Sequence, residues 1–180
     1  MTPSLHALAP LVSSRTRLLI LGSFPGVASL KAQQYYGHPQ NHFWRILGAI
    51  WPCGPMNTVI DSYQIRSEWL LDKRLGVWDV YASCEREGSL DSRIRHPVRN
   101  DFSSLAQRCP DLQAVVHNGG ESFKHAKYVA LQLESGRPNE KSGDIQFYKL
   151  PSTSPAHASL SFERKLEAWR SVFETHGLID

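Results

Sequence analysis

Residues 18–44 read LLILGSFPGVASLKAQQYYGHPQNHFW, and the change of character inside this stretch decides the fold. Leu18, Leu19, Ile20 and Leu21 form a short continuous apolar run, the signature of a parallel strand covered on both faces. Gly22, Pro25 and Gly26 end that strand within five residues. An aromatic and polar loop, Tyr35 to Asn41, then leads into a helix expected over 41–50, carrying Phe43, Ile46, Leu47 and Ile50. In open α/β sheets ligands bind beyond the carboxyl ends of the strands, so the loop lies where a site is expected.

Working outward, three further stretches read as strands: 77–82, 112–117 and 145–150. Between them the spacing predicts helices over 58–73, from Asn100 or Asp101 to about 109, and over 121–133. A last helix over 162–176 has Phe162, Leu166, Trp169 and Phe173 on one face. Residues 1–16 read as a lead-in with a single helical turn, and 83–100 and 134–144 as polar surface loops. Strands alternating with helices imply right-handed crossovers and a parallel sheet with helices on both faces, an α/β fold.

A chain of 180 residues, 41% hydrophobic and 21% charged, suits one soluble globular domain spanning 1–180. No basic segment followed by a long apolar one opens the sequence and no run approaches about 18 apolar residues, so neither export nor a membrane partner is expected. Cys53, Cys84 and Cys109 are odd in number and far apart, which predicts neither a disulfide framework nor an iron–sulfur or zinc site, and fits a cytoplasmic monomer. His38, His42 and His117 share no metal-binding spacing, and neither G-x-x-x-x-G-K-[ST] nor G-x-G-x-x-G occurs, so no metal and no cofactor is expected. A net charge of +3 is weak evidence for a nucleic-acid partner. The local cluster Arg93, Arg95 and Arg99 is stronger, since its stretch holds no acid; phosphate contact and a solvated basic loop are the two readings.

Gly22-Ser23-Phe24-Pro25-Gly26 followed by Tyr36-Gly37-His38-Pro39-Gln40-Asn41-His42-Phe43-Trp44 resembles the first motif of the uracil-DNA glycosylase superfamily. Leu150-Pro151-Ser152-Thr153-Ser154-Pro155-Ala156-His157-Ala158-Ser159-Leu160 resembles its second, a strand followed by a loop that inserts into DNA. The likeness is greatest to the hypoxanthine-DNA glycosylase branch and, after it, to the mismatch-specific thymine/uracil enzymes. It implies a three-layer α/β/α domain with a four-stranded parallel sheet, and a monofunctional glycosylase acting on DNA with deaminated bases. Hypoxanthine is the substrate the branch implies. Uracil or a G·U mismatch is the alternative, and a nucleic-acid-binding domain without chemistry on the same fold is the alternative of another class.

Cleaving an N-glycosidic bond separates charge, positive on the sugar and negative on the departing base. The site must therefore hold a water, offer donors to the base and exclude solvent. Where the mismatch-specific enzymes carry the asparagine of G-x-N-P-G this chain has Phe24, which cannot orient water. The resemblance implies that Asn41 takes over, while its place ahead of an apolar helix also makes it a preferred N-cap. By the same resemblance Ser23, Phe24, Tyr36, Gly37 and His38 form the base pocket, with Tyr36 stacking on the flipped base. Asn118 reads as a base-edge contact or a turn asparagine. Ser154, Pro155, Ala156 and His157 are the wedge that fills the gap left by flipping. Their small tip departs from the bulky residue of some relatives.

Overall fold

The computed structural model describes residues 4–59, 61–137 and 143–179. The chain runs β1 (Ser4–His6), β2 (Leu18–Gly22), α1 (Val27–Ala32), α2 (Phe43–Ile50), α3 (Tyr63–Asp72) and β3 (Leu75–Asp79). It continues through β4 (Tyr81–Glu85), β5 (Arg95–Arg99), α4 (Leu105–Arg108), β6 (Ala114–Asn118), α5 (Gly120–Phe123), α6 (Ala126–Ser135), β7 (Gln146–Leu150) and α7 (Phe162–Thr175).

Four strands form the parallel sheet in the order β3-β2-β6-β7. β2 is central, and Leu18, Leu19, Ile20 and Leu21 are all fully buried, as are Ala114, Val115 and Val116 beside them. Each such leucine or isoleucine contributes roughly 1.5–3 kcal/mol by leaving water, which fixes β2 and β6 as the spine of the core. The chain leaves β2 for β3 on one side and then crosses to β6 on the other. The carboxyl ends of β2, β3 and β6 therefore border the point where strand order reverses, the usual place for a cleft. Gly22 lies opposite Asp79, and Asn118 opposite Leu150.

The helices around the sheet close the core with aromatic rings. Phe43 of α2 meets Trp169 of α7 edge to face at 6.1 Å, and Trp51 after α2 lies 5.5 Å from Phe173. Ser161 caps α7 by accepting from the Arg164 N–H, and Ser62 caps α3 by accepting from the Ile65 N–H. On the face expected of α7, Trp169 and Phe173 are fully buried and Phe162 and Leu166 half-buried.

Several expectations need correction. Residues 4–6 of the lead-in form a strand, and residues 83–100 are no simple loop. β4 and β5 pair antiparallel there and, with β1, make a second sheet in the order β1-β4-β5. The strand expected over 77–82 splits at Val80, whose N–H donates to the Gly22 carbonyl as the chain turns from one sheet to the other. β5 is exposed along its whole length, and Pro97 is tolerated because β5 is an edge strand. The loop after β2 contains the short helix α1. The helix expected over 58–73 begins only at Tyr63, with Ile60 outside the described residues. The one expected over 121–133 is two, α5 and α6, broken where His125 turns to bond the Tyr81 hydroxyl at 2.7 Å. Of the loop expected over 134–144, residues 138–142 lie outside the described residues, as do 1–3 of the lead-in.

Candidate active site

A cleft of about 380 Å³ opens across the carboxyl ends of all four parallel strands. That volume lies in the usual range of about 300–1,000 Å³ for small-molecule sites. Its floor comes from Gly22, Asp79 and Asn118, each the last residue of its strand, and from Ser152 and Thr153 beyond β7. Ser23, Phe24, Tyr36, His38 and Asn41 line it from the first loop, and Ser154, Pro155, Ala156 and His157 from the last. The two segments at opposite ends of the chain thus face each other. Gly37 is the exception among the expected pocket residues: it does not line the cleft, and its N–H donates to the Ser29 hydroxyl at 3.0 Å, fixing the turn.

Asn41 sits two residues before α2. The N-cap position itself is His42, which makes no side-chain cap; from one residue earlier the Asn41 side-chain carbonyl accepts from the Phe43 N–H at 2.9 Å while the residue faces the cleft. One lone pair of that oxygen and the whole NH₂ group remain for a water or a ligand. Tyr36 is held in the left-handed region, at φ +54°, and its ring stacks on Phe43 at 3.9 Å. One face is therefore covered by the protein. Phe24 is similarly backed by the Arg86 guanidinium, 5.1 Å from its ring centre.

The second segment is tied to the first by main-chain and amide bonds. The Thr153 carbonyl accepts from the His42 N–H at 2.9 Å, beside Asn41. Asn118 grips Thr153 twice: its NH₂ donates to the threonine hydroxyl and its oxygen accepts from the threonine N–H, both at 2.9 Å. Asn118 thus lines the cleft with its oxygen and one N–H committed to this clamp, a role that neither the base-edge nor the turn reading includes. Gly119, at φ +100°, lies so near Ser152 that a Cβ there would be 3.0 Å from the serine Cβ. Beneath the loop tip, the ammonium of the buried Lys165 donates to the His157 carbonyl at 2.6 Å, and Trp169 donates to the Pro151 carbonyl. Burial lowers the pKa of both Lys165 and His157, and the lysine's charge adds to the effect on His157.

Sequence reasoning missed Asp79. It is 5% exposed, and Gly22 is what lets it lie there: a Cβ on residue 22 would come 2.5 Å from the Asp79 Oδ1. Its Oδ2 is buried and has no hydrogen-bond partner. Burial raises the carboxyl to about 7, Asp91 adds to the rise and Arg86 opposes it. The Tyr36 hydroxyl, also buried without a partner, is pushed up by burial and by Asp79, with Asn118 opposing. Asp91 accepts from the Ser23 hydroxyl at 2.7 Å at the rim, and burial raises its pKa as well. The only signal in sequence was a lone acid inside the apolar stretch expected as a strand over 77–82.

The arginines stand apart from this cleft. Arg93 and Arg95 border a second cavity of about 180 Å³ with Glu85, Arg86 and Glu87. Arg99 lies 3.9 Å over the Tyr128 ring, so it is stacked rather than freely solvated. Among the described residues no group of three His, Cys, Asp or Glu side chains is placed to hold a metal ion. No helix among them is long and apolar enough to cross a membrane.

Comparison with known proteins agrees with this arrangement. The sequence model described as "Uracil DNA glycosylase superfamily" matches residues 9–173. A protein of Methanosarcina barkeri named hypoxanthine DNA glycosylase is 43% identical over 116 residues, covering 64% of this chain and 72% of the relative. One of the same name from Methanosarcina acetivorans is 37% identical over 163 residues, covering 90% and 93%. A solution NMR structure from Methanosarcina acetivorans, named as a candidate uracil DNA glycosylase, superposes with a TM-score of 0.77 at 31% identity, covering 96% of this chain and 98% of that one.

Proposed function

The chain belongs to the uracil DNA glycosylase superfamily, and from that premise we propose that it hydrolyses the N-glycosidic bond of a deaminated base flipped out of DNA, hypoxanthine before uracil. The observation that carries the proposal is the meeting of the two end segments in one cleft, where the His42 N–H bonds the Thr153 carbonyl beside Asn41. The choice of hypoxanthine draws on the names of the relatives at 43% and 37% identity. Uracil is the second reading, favoured by the name given to the solved structure.

In this reading the base enters between Tyr36 and Phe24. Each ring has one face backed by protein, by Phe43 and by Arg86 respectively, and stacking on such a ring is worth roughly 1–3 kcal/mol. Asn41 holds the attacking water through the free lone pair of its carbonyl oxygen. It is too weak a base to deprotonate that water, so its part is positioning, and the bond to Phe43 N–H keeps the oxygen in place. Ser23 and His38 complete the pocket wall. The Ser154–His157 turn fills the space vacated by the base, at an unpairing cost of a few kcal/mol, braced from below by Lys165. Arg93, Arg95 and Arg99 contact phosphates outside the cleft. The chain works as one domain and a monomer, on DNA and without a cofactor.

The test is a panel of duplexes, each with a single hypoxanthine, uracil or xanthine, incubated with the protein and then treated with alkali to break abasic sites. Cleavage of the hypoxanthine strand fastest is the expected result. Cleavage of the uracil strand alone would transfer the assignment to the second reading, and no cleavage of any strand would leave a DNA-binding domain.

A further inference from the structure

We propose that Asp79 is a catalytic acid that donates its carboxyl proton to a ring nitrogen of the departing base as the glycosidic bond breaks; the proposal rests on reading the cleft as a glycosylase site.

The geometry singles out this residue. Asp79 ends β3 on the cleft floor, with its main chain fixed by the Asn100 amide, which donates to the Asp79 carbonyl at 2.9 Å. Oδ1 lies against the backbone of Gly22, and Oδ2 is buried with nothing to bond. Leaving a buried polar atom unpaired is costly, so its persistence on the wall of a ligand-sized cleft points to a partner supplied by the ligand. The charged and titratable groups facing it are Asp91, from the segment between β4 and β5, Arg86 just after β4, and the Tyr35 and Tyr36 phenols from the first loop. β2 brings only the backbone of Gly22. Burial and Asp91 together keep the proton on up to about pH 7. A neutral carboxylic acid is then a stronger proton donor than its floor neighbours: the Asn118 oxygen and one N–H are committed to Thr153, and the Tyr36 phenol is pushed upward.

The chemistry balances without a co-reactant. The bond between C1′ of the sugar and N9 of hypoxanthine breaks, and its electron pair leaves with the base. Delocalisation carries that charge onto N3 and N7, and the Asp79 proton passes to one of them, giving neutral hypoxanthine and an Asp79 carboxylate. The water held by Asn41 adds to C1′ and releases a proton, which restores the acid. One water is consumed.

The experiment is the single-turnover rate of base release from a hypoxanthine duplex, at saturating protein, from pH 5 to pH 9, for the wild type, Asp79→Asn and Tyr36→Phe. The wild-type rate should be level below about pH 7 and fall tenfold per unit above it. Asp79→Asn should be slower by roughly a hundredfold at pH 6 and lack that falling limb, since positioned proton transfer contributes about 10²–10⁴. Tyr36→Phe should keep the limb. A wild-type rate that climbs through pH 7 would make Asp79 a base and overturn the proposal, as would a limb retained in Asp79→Asn or lost in Tyr36→Phe. Melting and DNA-binding curves identify a variant that fails to fold, in which case the wild-type and Tyr36→Phe profiles decide. Wild-type protein that releases no base at any pH overturns the glycosylase reading itself, whereas release that is flat with pH overturns only the role of Asp79.

Discussion

Replacing Asp79 by asparagine should stabilise the protein at pH 8 and leave it nearly unchanged at pH 4. The side chain is 5% exposed, and its carboxyl is raised from an ordinary 3.8 to about 7 because the folded state favours the neutral form. A group with a raised folded-state pKa gives stability that is present below the unfolded value and lost as pH climbs through the folded one. Between pH 4 and pH 8 the wild type therefore gives up stability that the uncharged, nearly isosteric amide does not. At 1.36 kcal/mol per unit the full interval comes to about 4 kcal/mol. Water entry and relaxation around the charge bring a realistic figure to about 2–4 kcal/mol, which for a chain of this size is roughly 5–15 °C in melting temperature. The other titrating groups are common to both proteins, so the difference between their melting curves isolates Asp79. A gap that is the same at pH 4 and pH 8, or a variant that melts lower at pH 8, would refute the inference from burial.

Other outcomes follow from the cleft and its supports. Asn41→Ser keeps a capping oxygen ahead of α2 but shortens it, so stability should change by a few tenths of a kcal/mol while base excision falls on the order of a hundredfold in a single-turnover assay. Lys165→Met removes the donor beneath the His157 carbonyl and should cost about 1–3 kcal/mol in thermal melting and weaken binding to lesion duplexes; no change in either would show that the loop is held by its own turn. Alanine at Arg93, Arg95 and Arg99 should lower the salt slope of DNA binding by about one for each phosphate that is no longer neutralised, with all sequences weakened alike, and an unchanged slope would assign the cluster to solvent. Excess EDTA should leave base release intact, and borohydride should trap no covalent adduct; an adduct would introduce a lysine nucleophile.

The centre of the parallel sheet was legible because burial on both faces writes itself into sequence as uninterrupted apolar runs, as Leu18 to Leu21 show. The second sheet was not. β5 reads Arg95-His96-Pro97-Val98-Arg99, exposed at every position, so neither alternation nor β-propensity marks it, and only pairing with β4 makes it a strand. α1 escaped notice because six residues between Gly26 and Gln33 carry too little periodicity. Within the site, Asn41 and the Ser154–His157 turn were readable as contiguous motifs. Asp79 was not, because what defines it is a cross-strand fact: the absence of a side chain on Gly22, far earlier in the chain, creates the niche the carboxyl occupies. The clamp between Asn118 and Thr153 is likewise a contact across 35 positions. Lys165 sat unremarked among the charges of α7 because nothing local distinguishes a buried lysine from a solvated one.

Release of a free base from DNA is the event on which every role assigned to the cleft depends. Mass spectrometry of the products formed when excess protein meets a duplex with one hypoxanthine tests it most directly. Free hypoxanthine should appear one for one with alkali-labile sites, on a strand that stays whole until alkali is added. A duplex that is bound by the protein yet keeps its hypoxanthine attached would contradict it.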